Sequence, residues 1–287
     1  MASSLTAPAI RARKGSDRPL VMVTAYDAPS ARVADAAGVD LILVGDSVAM
    51  VVLGYEDTLQ VSVQDMAHHV AAVSRARPEP MVVADMPWMS YHTTLENAVV
   101  NAASLVRAGA QAVKLEGGAK RVPVISSIVD AEIPVMGHLG LTPQSFHAMG
   151  GFRVQGKDLD TARMLVDDAH ALEEAGCFAL VLEGIPDVVA QLITDSVSVP
   201  TIGIGAGVHC DGQVLVFHDV LGMDDRRPAP KFVRRYASVQ ADSVAALKAW
   251  AQDVRSGRFP SDEETYHLAG GLAGEVAAEL APVISLY

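Results

Sequence analysis

The chain has no excess of basic residues, almost no cysteine, and no apolar run long enough to cross a membrane. Lys and Arg number 22 against 34 Asp and Glu, a net charge of −12. Nucleic acid rewards basic surfaces, so this balance argues against a nucleic-acid partner. Anionic small molecules are not excluded, because a local metal or lysine overrides the global field. The two cysteines, Cys177 and Cys210, form neither a CxxC pair nor a disulfide framework, which favours a reduced compartment. No apolar run reaches the roughly 18 residues of a transmembrane helix, so no membrane partner is expected. Residues 1–18 carry Arg11, Arg13, Lys14 and Arg18 but no apolar h-region, so they read as a loose N-terminal arm and not as a secretory signal. His68 and His69 are adjacent, so the H-E-x-x-H spacing of a helical zinc site is missing, and both read as ordinary helix residues.

What is present is a repeated design. Gly38 is followed by an apolar run ending at Asp46, Gly109 by one ending at Glu116, and Gly176 by one ending at Glu183. In each, glycine closes a helix by taking a positive φ. The apolar run then has the continuous hydrophobicity of a parallel strand buried on both faces. Three units that deliver an acid to the same end of a sheet point to a site.

Eight such runs are found: Leu20–Asp27, Leu41–Asp46, Met81–Pro87, a fourth carrying Lys114 and Glu116, Ile133–Gly140, a sixth ending at Glu183, Val199–Gly205 and Gln213–Phe217. Helical patterns separate most of them. Ser30 is a candidate cap for the first, and Thr93 or Thr94 for a later one. Between the last two runs only a turn fits. Alternation of this kind gives a parallel sheet with right-handed crossovers. Eight units close into a TIM (β/α)8 barrel, which typically needs about 250 residues. The chain, at 287, is predicted to divide into the arm (1–18), the barrel (19–230), a helical C-terminal segment (231–269) and a tail of unknown role (270–287).

A barrel of this type works at the C-terminal ends of its strands. Asp27, Asp46, Ser47, Asp85, Lys114, Glu116, His138, Glu183 and His218 are predicted there. Carboxylates converging on one mouth repel each other unless a cation neutralises them. Oxygen donors without His or Cys spacing suit Mg²⁺. Asp27 fits a helix cap better, whereas Asp46 and Asp85 end their runs at matching depth and fit metal ligands. Lys114 and Glu116 lie two apart and share a face, either as a structural ion pair or as a functional one. A Schiff-base role for Lys114 is disfavoured, because neighbouring acids keep it an ammonium; holding a substrate carboxylate suits it better. Glu183 has two open readings, a general base or a buried glutamate bonded to backbone. His138, between glycines in sequence, is a ligand-facing or a core histidine. Gly203-Ile204-Gly205-Ala206-Gly207 fits a close-packed turn beside a substrate better than a phosphate cradle.

Several segments together carry a resemblance: Thr24-Ala25-Tyr26-Asp27, Val44-Gly45-Asp46-Ser47, Lys114-Leu115-Glu116-Gly117-Gly118, Gly137-His138-Leu139-Gly140-Leu141-Thr142-Pro143-Gln144 and Ile202-Gly203-Ile204-Gly205-Ala206-Gly207. In this order, from about Leu20 to His267, the chain resembles the ketopantoate hydroxymethyltransferase family. The resemblance implies a cytoplasmic, decameric TIM-barrel enzyme. It would transfer the one-carbon unit of 5,10-methylenetetrahydrofolate to 3-methyl-2-oxobutanoate, giving 2-dehydropantoate for pantothenate and coenzyme A synthesis. It further implies Asp46 and Asp85 as Mg²⁺ ligands, with Glu116 completing the site directly or through water. Asp46, Ser47, Asp85, Lys114 and His138 would contact substrate, and Glu183 would accept the proton. Ala49 stands where relatives often have glycine, and the segment after His267 extends past the usual family end.

Three other readings stand beside this one. One is another metal-dependent enolate lyase or mutase on a similar barrel, although the K-K-C-G-H motif of that lyase class is missing around Gly137-His138. The second is a Schiff-base aldolase using Lys114. The third is a non-catalytic ligand-binding barrel, which would be expected to have lost at least one of Asp46, Asp85, Lys114 or Glu183.

Overall fold

The computed structural model describes residues 5–224 and 229–284. Residues 1–4 of the expected arm, 225–228 near the expected barrel end and 285–287 of the tail lie outside the described residues. Contacts divide the chain into two compact units, Met1–Ala237 and Ser238–Tyr287.

In the first unit, β1 (Leu20–Thr24), β2 (Leu41–Val44), β3 (Met81–Asp85), β4 (Ala112–Glu116), β5 (Val135–Gly140), β6 (Ala179–Glu183), β7 (Thr201–Ile204) and β8 (Gly212–Leu215) pair in parallel, in chain order. Leu20 lies opposite Gly212 and Val23 opposite Leu215, which closes the ring. The eight predicted runs are the eight strands, and the fold is the TIM (β/α)8 barrel. Helix α1 (Ala7–Arg11) precedes β1. Then follow α2 (Ala28–Ala36), α3 (Val48–Val51), α4 (Val63–Ser74), α5 (Leu95–Arg107), α6 (Val122–Asp130), α7 (Phe146–Met149), α8 (Leu159–Glu174), α9 (Asp187–Ser196) and α10 (Phe217–Leu221). No helix separates β7 from β8. The predicted loop after β2 contains a single turn, α3, where Ala49 is buried.

Alternation along the strands sends side chains to two cores. Met22, Leu41, Leu43, Val83, Met136 and Val181 belong to the cluster inside the barrel. Ile42, Val44, Ala84, Leu115, Leu180 and Leu182 belong to the cluster shared with helix residues such as Met66, Leu105 and Ile125. Occupation of both faces explains why the runs carry no polar alternation.

The repeated glycines close their helices in one way. Gly38, Gly109 and Gly176 take φ of 71°, 117° and 100°. After each, the next N–H bonds back to a carbonyl five residues earlier: Val39 to Ala34, Ala110 to Leu105 and Cys177 to Leu172. This satisfies a helix-end carbonyl and turns the chain into the strand. At the other end of α2, Asp27 is the cap and accepts from the Ser30 N–H, while Ser30 Oγ accepts from the Asp27 N–H. The assignment of Ser30 as the cap is corrected, since it is the third helical residue of a capping box. The same box joins Ser62 to Asp65 in α4 and Asp158 to Thr161 in α8, and Thr94 caps α5.

The N-terminal segment is not loose. Ile10 of α1 is fully buried in the inner cluster, beneath the N-terminal ends of the strands. Asp211, just before β8, accepts from the Gly15 N–H at 2.8 Å, Lys14 Nζ at 2.9 Å and the Thr201 N–H at 2.8 Å. Arg13 reaches Asp40, before β2, at 3.4 Å. The four cations of this stretch looked like an exposed basic arm, but Arg13 and Lys14 are ion-paired to carboxylates under the barrel.

The second unit holds α11 (Val239–Arg255) and α12 (Leu272–Ile284). Trp250 and Phe259 pack with ring centroids 6.3 Å apart. The tail predicted only as apolar and acidic is helical over α12.

Two predictions follow from the floor of the barrel. Ile10→Ala is expected to cost about 2–5 kcal/mol, read from the urea midpoint; a loss below about 1 kcal/mol would return the segment to a loose arm. Asp211→Asn is expected to cost about 1–2 kcal/mol at neutral pH. Burial raises the Asp211 carboxyl, but its backbone and Lys14 partners outweigh this and hold it below the ordinary 3.8. A depressed native value stabilises above the unfolded value and is lost as pH falls through the native one. The gap between wild type and variant should therefore close below about pH 4; a gap independent of pH would refute the charged lock.

Candidate active site

Inward alternation places Asp85 after Val83 on β3, Lys114 and Glu116 after Ala112 on β4, His138 after Met136 on β5 and Glu183 after Val181 on β6. The register sets Asp85 beside Lys114 and Glu116 beside His138. Asp46 and Ser47 follow β2 and join the same end. Between them and the strand, a Cβ on Gly45 would sit 2.9 Å from Ser47 Oγ and 3.4 Å from Asp85 Oδ2. Glycine there lets the backbone come close enough for the Asp46 N–H to donate to Asp85 Oδ2 at 3.0 Å.

The group is linked throughout. Lys114 Nζ lies 2.6 Å from Asp85 Oδ1 and 3.2 Å from His138 Nδ1. His138 Nδ1 is 3.5 Å from Glu116 Oε1, and Nε2 is 3.3 Å from Glu183 Oε2. Ser47 Oγ shares a 2.8 Å hydrogen bond with the Tyr26 hydroxyl. Asp46, Asp85, Lys114, Glu116 and His138 are all buried, whereas the Glu183 side chain keeps 15 % of its exposure. A cavity of about 70 Å³ is lined by Asp85, Lys114, His138 and Glu183 with Thr24, Leu43 and Val181. A larger cavity, about 460 Å³, runs between Gly117, Gly140, Met149, Gln155 and the α8 residues Met164 and Asp168.

Electrostatics follow from this crowding. Burial, then the Asp85 and Glu116 charges, push the Asp46 carboxyl well above its ordinary range. Burial works against the Lys114 ammonium, but Asp85, Glu116 and Asp46 outweigh it and hold the group charged. That removes the free amine a Schiff base needs. Burial and Lys114 oppose the His138 imidazolium, yet hydrogen bonds to Glu116 and Glu183 push it up to about 9. Burial raises the Glu116 carboxyl, and His138, Lys114 and the Gln144 N–H together bring it below its usual value.

Of the nine residues predicted at the strand ends, the structure brings seven together: Asp46, Ser47, Asp85, Lys114, Glu116, His138 and Glu183. Asp27 serves α2 as its cap. His218 lies on α10, against the Tyr26 ring at 5.6 Å. His69 bonds the Tyr26 carbonyl through Nδ1 at 2.7 Å. Gly205 and Gly207 make a close-packed turn, with Phe232 and Asp187 where their Cβ atoms would sit. Sequence reasoning gave no part to Tyr26, Tyr91 or Gln144. Gln144 stood in a quoted motif, but nothing in its spacing showed that it reaches Asp46.

Asp46 and Asp85 fit a divalent cation. They are buried side by side, with Lys114 against Asp85, and burial with the Asp85 and Glu116 charges raises Asp46. Among the described residues no three His, Cys, Asp or Glu are arranged to hold an ion by themselves. The donor set therefore suits an ion that keeps other oxygen ligands, as Mg²⁺ does.

Barrel and mouth together define a TIM-barrel enzyme with acid–base groups at its strand C-termini. The family model for ketopantoate hydroxymethyltransferase matches residues 4–262, and the chain belongs to that family. It is 56 % identical to 3-methyl-2-oxobutanoate hydroxymethyltransferase 2 of Bradyrhizobium diazoefficiens, over 95 % of this chain and 93 % of the relative. The corresponding enzyme of Clostridium acetobutylicum is 51 % identical, over 90 % and 93 %. Among solved structures, 2,3-dimethylmalate lyase, a PEP mutase/isocitrate lyase superfamily member, shares the fold with a TM-score of 0.59 and 19 % identity, covering 96 % of this chain and 98 % of that one. Phosphonopyruvate hydrolase in complex with oxalate and Mg²⁺ does so with a TM-score of 0.59 and 15 % identity, covering 98 % of both.

Lys114→Met is expected to destabilise the cation-free protein by about 3–5 kcal/mol, because it leaves the buried Asp85 carboxylate unpaired. Adding Asp85→Asn should recover part of this in a double-mutant cycle of urea midpoints. Additive losses would show that the pair is not coupled.

Proposed function

We infer that the protein forms 2-dehydropantoate by transferring the one-carbon unit of 5,10-methylenetetrahydrofolate to 3-methyl-2-oxobutanoate. The observation that carries this reading is the setting of Glu183. It is the one acid of the group left partly exposed, at a small cavity walled by Asp85, Lys114 and His138. Lys114 and Ser47 hold the carboxylate of the keto acid. Asp46 and Asp85 would hold Mg²⁺, with Glu116 completing the site directly or through water. The oxalate and Mg²⁺ of the phosphonopyruvate hydrolase complex support that choice of ion. When bound, Mg²⁺ supplies Lewis-acid polarisation of the keto oxygen, where negative charge develops.

Glu183 takes the C3 proton. His138 Nε2, 3.3 Å away, fixes the orientation of the Glu183 carboxylate. Water adds to the one-carbon unit and both of its carbon–nitrogen bonds break. Tetrahydrofolate leaves with a proton on each nitrogen, and the carbon is left as formaldehyde. The C3 carbanion attacks that carbon, the C=O pair moves onto oxygen, and the resulting alkoxide takes back the proton held on Glu183. Positioning both substrates removes an entropic barrier. The central cavity is too small for a folate, and the neighbouring cavity of about 460 Å³ has room for its bicyclic ring. By its likeness to the family, the enzyme is cytoplasmic and homo-oligomeric, as a decamer.

The test follows the C3 proton of 3-methyl-2-oxobutanoate by NMR in D₂O. Mg²⁺-dependent exchange, with product once methylenetetrahydrofolate is added, is expected. Glu183→Gln should slow it by about 10²–10⁴-fold, the usual weight of a general base. A folded, Mg²⁺-bound protein that gives neither exchange nor product refutes the reading. Exchange without product moves the function to another enolate enzyme.

A further inference from the structure

Gln144 lies on the turn Pro143–Ser145 after β5 and is 5 % exposed. It joins three strand ends. Its backbone N–H donates to Glu116 Oε2 at 3.0 Å. Nε2 donates to Asp46 Oδ2 and to the Met86 carbonyl, each at 2.9 Å. Oε1 accepts from the Tyr91 hydroxyl at 2.6 Å. Tyr91, itself buried, accepts in turn from the Glu116 N–H at 3.2 Å, and the Arg121 guanidinium sits 5.1 Å from its ring centre.

Only one orientation of the Gln144 amide satisfies this set. The Asp46 carboxylate and the Met86 carbonyl are acceptors and require the NH₂ group. The Tyr91 hydroxyl accepts from the Glu116 N–H, and its single hydrogen goes to Oε1 at 2.6 Å in preference to the Glu116 carbonyl at 3.5 Å. Turning the amide over would set oxygen against two oxygens and strand three buried groups.

A neutral donor at this point has a consequence that a cation would not. Asp46, Asp85 and Glu116 repel one another and would splay apart without restraint. Lysine or arginine in place of Gln144 would restrain Asp46, but would also neutralise it and compete with a metal ion. The amide holds Asp46 through Oδ2 alone and leaves the negative charge of the site intact. Through its backbone, the same residue holds Glu116.

We propose that Gln144, oriented by Tyr91, is a positioning residue that keeps Asp46 and Glu116 at the separation a single divalent cation requires. This rests on the proposed function, which assigns those carboxylates to the ion. The test uses the full-length protein with Gln144→Met, similar in length but without donors, and Tyr91→Phe, which loses one hydroxyl. Mn²⁺ binding is read by electron paramagnetic resonance, and turnover is measured across Mg²⁺ concentration.

Gln144→Met is expected to weaken Mn²⁺ binding by about tenfold to a hundredfold, the range for losing a hydrogen bond to a charged group. Tyr91→Phe should weaken it less and in the same direction. In both, the keto-acid KM should rise at low Mg²⁺ and recover at high Mg²⁺, a rescue that general loss of structure would not give. Variants that melt earlier yet bind Mn²⁺ like the wild type overturn the assignment alone. A wild type that binds no Mn²⁺ overturns both this assignment and the metal site on which it rests.

Discussion

The mouth of the barrel depends on one buried ion pair, Lys114 with Asp85. An ammonium and a carboxylate lose their hydration when buried, and their attraction repays it only where the remaining hydrogen-bond capacity is met. Here Lys114 stands between Asp85 and His138, Asp85 Oδ2 accepts the Asp46 N–H, and His138 bridges Glu116 and Glu183. Lys114 and His138, side by side, repel each other, and the carboxylates of Asp85, Glu116 and Glu183 on either side offset that repulsion. The surplus acid that remains is what a divalent cation can balance.

Such a network needs a frame that does not yield, and closure of the parallel ring provides it. Strand pairing puts Asp85, Lys114, Glu116 and His138 on neighbouring strands, with Glu183 one strand further on. The apolar layers beneath them fix the depth of the cluster. Helix α1 and the residues after it seal the opposite end, where Asp211 and Asp40 bind Lys14 and Arg13.

Much of this was legible along the chain. The three Gly-to-acid units, the eight apolar runs and the parity of Lys114 with Glu116 are local patterns, imposed by helix closure and strand alternation. They identified the barrel and nine candidates at its strand ends, and the family resemblance narrowed these to the seven proposed for the site. The packing of Ile10, Arg13 and Lys14 under the barrel and the roles of Tyr26, Tyr91 and Gln144 were not legible, because each depends on a partner distant in sequence, whereas the Asp27 cap of α2 was legible from its place before Pro29 and the helix. Ile10 reads as one apolar residue among cations until the barrel floor is built over it. Gln144 reads as a loop amide until Asp46, 98 residues away, is brought to its Nε2.

The sequence by itself determined the eight strands, most of the helices between them and the faces to which the acids, the lysine and the histidine would point, since periods of 3.6 and 2.0 are properties of the local backbone. Only the tertiary structure decided which charges meet, at what distance, and through which neutral donors. Those depend on register, ring closure and loop packing, which set neighbouring charges against burial at Lys114, Glu116 and His138 and alongside it at Asp46.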